Sequence, residues 1–254
     1  MTAEATQTTN FENYPYPRRR IWRYLLRRFG WFLLGSLTHM EVIGLENVPK
    51  DGPVIVVANH FNATDVAAMI VAIDKPMEFL GGNQFALAPT LLKWLPHLWG
   101  FYRVRRGAVS RDAMHASTAV LAQNGFLMIF PEAGAWANVL RPPRPGTAFI
   151  ADRTGSQLLP VGLDGMINIF PALRKRQRAK ITIRIGKPFG PLKAEGRGRA
   201  RRDKLNEIGD TIMQHIAELL PPERRGMYSD DPVLRAEAEK VAEYPFHDLN
   251  PMGG

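Results

Sequence analysis

Short apolar runs recur through the middle of the chain, and stretches with helical spacing separate several of them. β-branched and other apolar residues dominate residues 54–58, 77–80, 126–130, 158–163 and 181–185, which we predict to be strands. Residues 62–72 and 110–123 carry the helical pattern, and the second stretch ends at Asn124-Gly125, a common helix stop. The alternation predicts an α/β fold, a single mixed, largely parallel sheet flanked by helices.

An amphipathic cationic helix is predicted near the N-terminus. Two sets of residues recur there on different faces, an apolar set of Trp22, Leu26, Phe29, Leu33 and Leu37 and a basic set of Arg20, Arg23 and Arg27. The uncharged residues 29–40 are fewer than the roughly 20 apolar residues that a membrane-spanning helix needs. We therefore expect this helix to associate with a membrane by lying among the headgroups. The alternative is that its apolar side packs on the domain, and both contacts can hold at once.

The patterning divides the chain into three segments. Residues 1–38 comprise a polar tip, which we expect to be disordered over residues 1–12, and the amphipathic helix. Residues 39–222 form the α/β domain, whose last element is an amphipathic helix that stops before Pro221-Pro222. Residues 223–254 contain an acidic stretch at residues 229–244 and are predicted to form an acidic surface helix or a tail.

The charge of the chain indicates an anionic partner. Lys and Arg total 33 against 24 acidic residues, a formal net charge of +9, which suits a membrane surface, a nucleic acid or a phosphorylated ligand. Basic clusters at residues 173–180 and 193–204 could meet coenzyme A phosphates, an acidic carrier protein or lipid headgroups. The chain has no cysteine, which excludes disulfides, thiolate metal ligands and cysteine nucleophiles.

A histidine and a carboxylate follow the first of these strands. Ligands of open α/β sheets gather at the carboxyl ends of strands, so His60 is well placed for chemistry. Asp65, five positions later, can fold back onto one ring nitrogen and leave the other free to take a proton from a hydroxyl. In isolation the pair has an ordinary alternative, in which Asp65 is a first-turn carboxylate facing the helix dipole and His60 is a loop histidine.

Three further blocks accompany this pair in a definite order. Residues 100–107 read GFYRVRRG, residues 130–136 read FPEAGAW, and residues 158–162 read LLPVG. With Asn59, His60 and Asp65, they resemble the four motifs of the glycerolipid acyltransferase family, whose best-known members acylate lysophosphatidate. The resemblance extends over roughly residues 40–190.

The resemblance implies transfer of a fatty acyl group from a coenzyme A or acyl-carrier-protein thioester to an alcohol, with no other cofactor and no metal. His60 matches the family's general base, and Asp65 matches the residue that orients it. Arg106 matches an arginine assigned to the acceptor phosphate. The resemblance also makes five residues of the four blocks candidates for substrate binding, namely Asn59, Arg103, Glu132, Gly134 and Pro160. Arg103 has a plain alternative as solvated charge on a strand.

The third block departs from the family pattern. The family usually has Phe-Pro-Glu-Gly-Thr-Arg-Ser, whereas Ala133, Gly134, Ala135 and Trp136 follow the glutamate in this chain. The missing arginine weakens the case for a phosphate-bearing acceptor, because a guanidinium is a favoured phosphate clamp. Arg141 and Arg144, a few residues downstream, could supply the missing charge.

The sequence thus predicts an O-acyltransferase of phospholipid biosynthesis that works as a peripheral protein on the cytoplasmic face of the cell membrane. Its expected partners are an anionic membrane surface, a lysophospholipid acceptor such as 1-acylglycerol-3-phosphate, and the acyl donor. One alternative is a family member that acts on a different alcohol or a glycolipid. A basic nucleic-acid-binding protein is another, although no recognition motif supports it and we expect no nucleic-acid partner. A third is a thioester hydrolase that uses the same histidine pair.

Overall fold

Seven strands form one sheet in a computed structural model that describes residues 13–82, 98–104, 111–243 and 245. In chain order they are β1 (Thr38–Ile43), β2 (Val54–Ala58), β3 (Glu78–Gly82), β4 (Tyr102–Val104), β5 (Phe126–Ile129), β6 (Gln157–Asp164) and β7 (Ala179–Ile185). Their order across the sheet is β1-β7-β6-β2-β5-β3-β4. The five predicted strands are confirmed with small shifts of their ends.

The directions of the strands bring two chain segments to one edge. The five strands β2 to β6 run parallel to one another. Strand β7 is antiparallel to β6, and β1 is parallel to β7. The predicted mixed, largely parallel sheet is therefore confirmed. Because β1 and β7 run opposite to the other five, both begin at the edge where β2 and β6 end.

Helices cover both faces of the sheet. They are α1 (Arg20–Leu37), α2 (Asp65–Ala72), α3 (Arg111–Ala122), α4 (Pro145–Thr154), α5 (Ile169–Arg174), α6 (Gly198–Ala217) and α7 (Pro232–Glu239). Apolar residues of α1, α2 and α5 form one buried cluster with the sheet, and those of α3, α4 and α6 form another on the opposite face. Every residue of β2 and β5 is buried, as expected for central strands covered on both sides.

Helix α2 begins three residues later than its sequence pattern predicted. The Asn62 side-chain oxygen accepts a hydrogen bond from the Thr64 N–H at 3.1 Å, which makes a local turn where the pattern predicted the start of the helix. Asp65 is consequently the first residue of the helix.

Helix α1 presents its faces differently from the prediction. Arg23, expected at the lipid headgroups, is only 3% exposed and points into the protein together with Leu34. Trp22 and Phe29, by contrast, are 63% and 58% exposed. Arg23 and Arg27 of the basic face bind the domain through Glu78 and Asp74. Much of the aromatic surface of the helix is exposed to solvent.

A buried ion cluster holds α1 on the sheet. Arg23 Nη1 and Nη2 donate to the two Glu78 oxygens at 2.6 and 2.8 Å, and Arg23 Nε donates to the Trp99 carbonyl at 3.1 Å. Arg18 donates to Glu78 as well, and its guanidinium lies 3.9 Å from the centre of the Tyr102 ring. Glu78 is fully buried at the start of β3, so its charge depends on these two arginines. Among the described residues, no helix is both long and apolar enough to cross a membrane.

Glu78→Gln is expected to lower the free energy of unfolding by about 3–5 kcal/mol, because it leaves the buried Arg23 guanidinium without its counter-charge. Urea denaturation followed by circular dichroism measures this loss. Asp74→Asn is the matched control, since it removes the exposed partner of Arg27 on the same helix, and exposed pairs contribute little. Equal losses in the two variants would contradict the assigned role of Glu78.

Candidate active site

His60 lies just past the carboxyl end of β2, where Asp65 holds its ring. The distance from His60 Nδ1 to Asp65 Oδ2 is 3.0 Å. The same oxygen accepts hydrogen bonds from the N–H groups of Phe61 and Asn62, each at 2.7 Å. A carboxylate can only accept hydrogen bonds, so Nδ1 carries the proton in the neutral ring and Nε2 keeps a free lone pair. This arrangement suits a general base.

The imidazole is fixed from its other side by an aromatic ring. Phe130, the first residue of the third block, stacks on His60 with ring centres 4.2 Å apart and planes 18° apart. The His60 side chain remains 17% exposed, whereas Asp65 is buried. The ring is therefore held on one face and by one nitrogen while part of it still reaches solvent.

A buried Glu132–Arg141 pair supports the backbone of His60. The His60 N–H donates to Glu132 Oε2 at 2.8 Å. Glu132 Oε1 accepts from the Arg141 N–H at 3.2 Å and from Arg141 Nε at 3.0 Å. Arg141 Nη2 in turn donates to the carbonyls of His60, at 3.0 Å, and Gly134, at 2.8 Å. The pair therefore bonds to both the N–H and the carbonyl of His60.

Burial acts on the ionisation of both members of this pair. It raises the pKa of the Glu132 carboxyl, while the Arg141 guanidinium and the backbone N–H groups of His60 and Arg141 lower it. Burial also lowers the pKa of the Arg141 guanidinium, and the neighbouring Glu132 opposes that shift. Burial outweighs the pairing for both groups, so the Glu132 pKa is raised and the Arg141 pKa is lowered overall.

Asn59, Gly134 and Pro160 are buried in the structure. The Asn59 side chain donates to the Leu163 carbonyl at 2.9 Å and accepts from the Leu163 N–H at 2.7 Å, which ties the end of β2 to β6. Pro160 lies inside β6 opposite Val57. With Glu132, these residues are packed within the protein, and their predicted part in substrate binding stays a prediction.

The second block is described only in part. The backbone of Arg103 pairs with Gly81 at the end of β3, which puts this residue three strands from β2 at the same edge of the sheet. That separation is about 14 Å at the usual strand spacing. Arg106 lies outside the described residues, so its predicted contact with a phosphate stays a prediction.

The structure gives Arg141 a different position from the one the sequence suggested. The sequence makes Arg141 a candidate to replace the missing phosphate clamp, but its side chain is 0% exposed and its guanidinium faces Glu132. The sequence shows only an arginine nine positions after the glutamate, and the path of the intervening loop decides where its side chain goes. Within the described ranges, no three His, Asp or Glu side chains converge as a metal site requires.

The third block contains a backbone conformation that explains part of the family pattern. Ala133 has φ 60°, in the left-handed region where glycine carries no steric penalty. The resembling family usually has glycine at this position. The chain therefore keeps the turn after Glu132 with a side chain that fits it less well.

Comparison with known proteins supports the resemblance. Residues 39–164, about half of the chain, match the family model described as Acyltransferase. A 1-acyl-sn-glycerol-3-phosphate acyltransferase from Chlamydomonas reinhardtii is 25% identical over 195 residues, which cover 74% of this chain and 54% of that protein. The chain thus spans about half the length of this curated relative.

A solved structure has the same fold. The 1-acyl-sn-glycerophosphate acyltransferase PlsC from Thermotoga maritima superposes with a TM-score of 0.52 at 21% identity, covering 75% of this chain and 78% of that one. All the predicted site residues, from Asn59 to Pro160, lie inside the range that the family model matches.

The geometry predicts the tautomer of His60. In the native protein the neutral ring should carry its proton on Nδ1, and Asp65→Asn should reduce that preference because a side-chain amide can donate as well as accept. Nitrogen-15 NMR of the imidazole distinguishes the two tautomers. The exposed His39 on β1 is an internal control whose signals should stay unchanged. A mainly Nε2-protonated ring in the native protein would rule out the arrangement.

Proposed function

The chain belongs to the acyltransferase family, and on this premise we propose that it transfers a fatty acyl group from an acyl-coenzyme A or acyl-carrier-protein thioester to the hydroxyl of a lysophospholipid-type acceptor. The acceptor proposed first is 1-acylglycerol-3-phosphate. The observation that carries the proposal is the 3.0 Å contact between His60 Nδ1 and Asp65 Oδ2 at the carboxyl edge of the sheet. No cofactor other than the acyl donor takes part in it.

In the proposed reaction, His60 Nε2 takes the proton of the acceptor hydroxyl while Asp65 stabilises the imidazolium that forms. The hydroxyl oxygen attacks the thioester carbonyl, and the resulting tetrahedral oxyanion collapses with cleavage of the carbon–sulfur bond. The departing thiolate takes the proton back from the imidazolium and leaves as the free thiol. The products are an ester and a thiol, and no acyl group is attached to the protein at any stage.

The burial of Arg141 bears on how the acceptor would be held. Because this guanidinium is bonded to Glu132, we assign the acceptor phosphate to the cationic second block, with Arg106 as the main ligand and Arg103 nearby. We place the glycerol part beside Gly134 and the thioester acyl chain beside Pro160. The absence of the family's third-block arginine, whose position is taken by Ala135, favours, as a second candidate, an alcohol or glycolipid acceptor without phosphate.

A membrane surface is the proposed environment of the reaction. Helix α1 exposes a set of large apolar side chains: Ile21, Trp22, Tyr24, Leu25, Phe29, Trp31, Phe32 and Leu33. Aromatic and aliphatic side chains of this kind insert at the boundary between headgroups and acyl chains. We propose that the protein is peripheral and that α1 is its main lipid contact, on the cytoplasmic face of the cell membrane.

The end of α1 lies beside a second lipid contact. Arg178 donates to the carbonyls of Gly35 and Thr38, so the turn between α5 and β7 adjoins the end of the helix. Helix α5 exposes Phe170, and the basic residues 174–176 at its end are exposed as well, which suits anionic headgroups. It precedes β7, which is two strands from β2, or about 10 Å at the usual spacing. A lipid acceptor would thus be delivered near His60.

His60→Ala is expected to lower the rate of ester formation at least about 100-fold, the usual scale of general-base catalysis. Mass spectrometry of the products formed from acyl-coenzyme A and a panel of lysophospholipids and other alcohols measures the rate and identifies the acceptor. His39→Ala, at an exposed histidine of β1, is the control. Unchanged ester formation in His60→Ala would remove the mechanism, and free fatty acid as the sole product of the native protein would identify a thioester hydrolase.

Replacing Trp22, Phe29 and Phe32 together by serine is expected to weaken binding to anionic phospholipid vesicles at least about tenfold, because three side chains lose their burial in lipid. Vesicle sedimentation measures the binding. Thermal stability should not fall, since all three side chains face solvent in the free protein. Val233→Ser, at an exposed residue of α7, is the control. Equal binding of the triple variant and the native protein would exclude α1 as the main lipid contact.

A further inference from the structure

We infer that Arg141 is a positioning residue for His60 and that the C-terminal segment, acting through Trp136, holds Arg141 in place. The inference rests on the proposed function, since it concerns how the same base is held. Arg141, Trp136 and the C-terminal segment are not expected to touch either substrate.

The first step is the path of contacts from Arg141 to His60. Arg141 Nη2 donates to the His60 carbonyl at 3.0 Å, and its Nε holds Glu132, which accepts from the His60 N–H at 2.8 Å. The backbone groups on both sides of the His60 side chain are therefore bonded to one ion pair. A general base works only within hydrogen-bond distance of its proton donor, and a displacement of about 1 Å can cost on the order of 100-fold in rate.

The second step is that this arrangement calls for an arginine. A planar guanidinium can serve a carboxylate and two carbonyls in one fixed geometry, whereas the ammonium of lysine is a point charge on a flexible stem. Arg141 Nη1, although buried, has no hydrogen-bond partner within the described part of the chain. A buried ion pair with an unmet donor is a poor stabiliser compared with well-packed apolar side chains. We therefore infer that the Glu132–Arg141 pair serves to position the His60 backbone and contributes little to the free energy of unfolding.

The third step leads outward from Arg141 to the C-terminal segment. The Arg141 guanidinium lies 3.7 Å from the centre of the Trp136 ring. Trp136 Nε1 donates to the Val241 carbonyl at 3.0 Å, just beyond α7. The indole of Trp136 thus contacts the Arg141 guanidinium with its ring face and bonds to Val241 through its N–H. Val241 belongs to the acidic segment that the sequence predicted to be a surface helix or a tail.

Backbone contacts brace the same loop a few residues further on. The Leu140 N–H donates to the Arg224 carbonyl at 3.0 Å, and the Met227 N–H donates to the Leu140 carbonyl at 3.2 Å. Arg224 Nη1 also donates to the Asn138 carbonyl at 3.2 Å. The segment after α6 therefore holds the loop that carries Trp136 and Arg141, and the geometry of His60 depends on residues as far along the chain as Arg224, Met227 and Val241.

Arg141→Lys tests the inference, because it keeps the charge beside Glu132 and removes the planar fork. We expect kcat for acyl transfer to fall at least about tenfold with KM for both substrates within about threefold. We also expect hydrogen exchange of the His60 amide, followed by NMR, to accelerate at least about tenfold. Arg201→Lys is the control for the exchange measurement and should leave exchange of the His60 amide unchanged, since Arg201, on α6, bonds to Asp152 and the Ala194 carbonyl and not to the His60 backbone.

Trp136→Leu provides a second test on a residue outside the ion pair, in case Arg141→Lys does not fold. The same two changes are expected at smaller amplitude, and Trp136→Phe, which keeps an aromatic ring over the guanidinium, should recover part of both. Native exchange of the His60 amide in Arg141→Lys or Trp136→Leu would overturn the inference, and so would faster exchange with native kcat. If the native protein acylates no acceptor, the proposed function fails, while the exchange measurements still decide whether Arg141 positions His60.

Discussion

The Asp65 carboxylate accepts hydrogen bonds from the His60 ring and from two successive backbone N–H groups, and the arrangement of the site depends on this one side chain. It closes the turn between β2 and α2, so the start of the helix and the orientation of the histidine are set together. Without that charge, the N–H groups of Phe61 and Asn62 would lose their acceptor in a largely buried loop. The same carboxylate oxygen therefore both orients the His60 ring and stabilises the turn before α2.

Three buried carboxylates organise this molecule, and each holds a different kind of group. Asp65 orients the His60 ring, Glu132 bonds to the backbone of the same residue, and Glu78 holds helix α1, which exposes aromatic side chains. Each lies near one end of a strand or helix, where the chain changes direction. Carboxylates are effective at such points because they accept several hydrogen bonds at once from donors that would otherwise be unpaired.

Much of the fold follows from local pattern, and the failures have physical causes. The apolar runs of β2 and β5 are unambiguous because both of their faces are buried. The edge strand β1 alternates buried and exposed residues over a short length, and α4 begins with Pro145 and Gly146, so neither gives a strong signal. Arg23 of α1 turns inward to pair with Glu78. The sequence pattern could not predict this orientation, because the two residues are 55 positions apart in the chain. The His60–Asp65 contact was predictable since five residues span it, whereas the place of Arg141 depended on a loop.

The reversed direction of β1 and β7 relative to the other strands determines which chain segments lie at the same edge of the sheet as His60. By starting at the edge where β2 ends, these two strands put the end of α1 and the basic residues 174–176 at the same edge of the sheet as the histidine. In the proposed arrangement the acceptor never has to leave its leaflet, because it arrives by lateral diffusion. Turnover would then follow the mole fraction of acceptor within the bilayer rather than its bulk concentration, so that adding inert lipid at constant substrate slows the reaction by surface dilution.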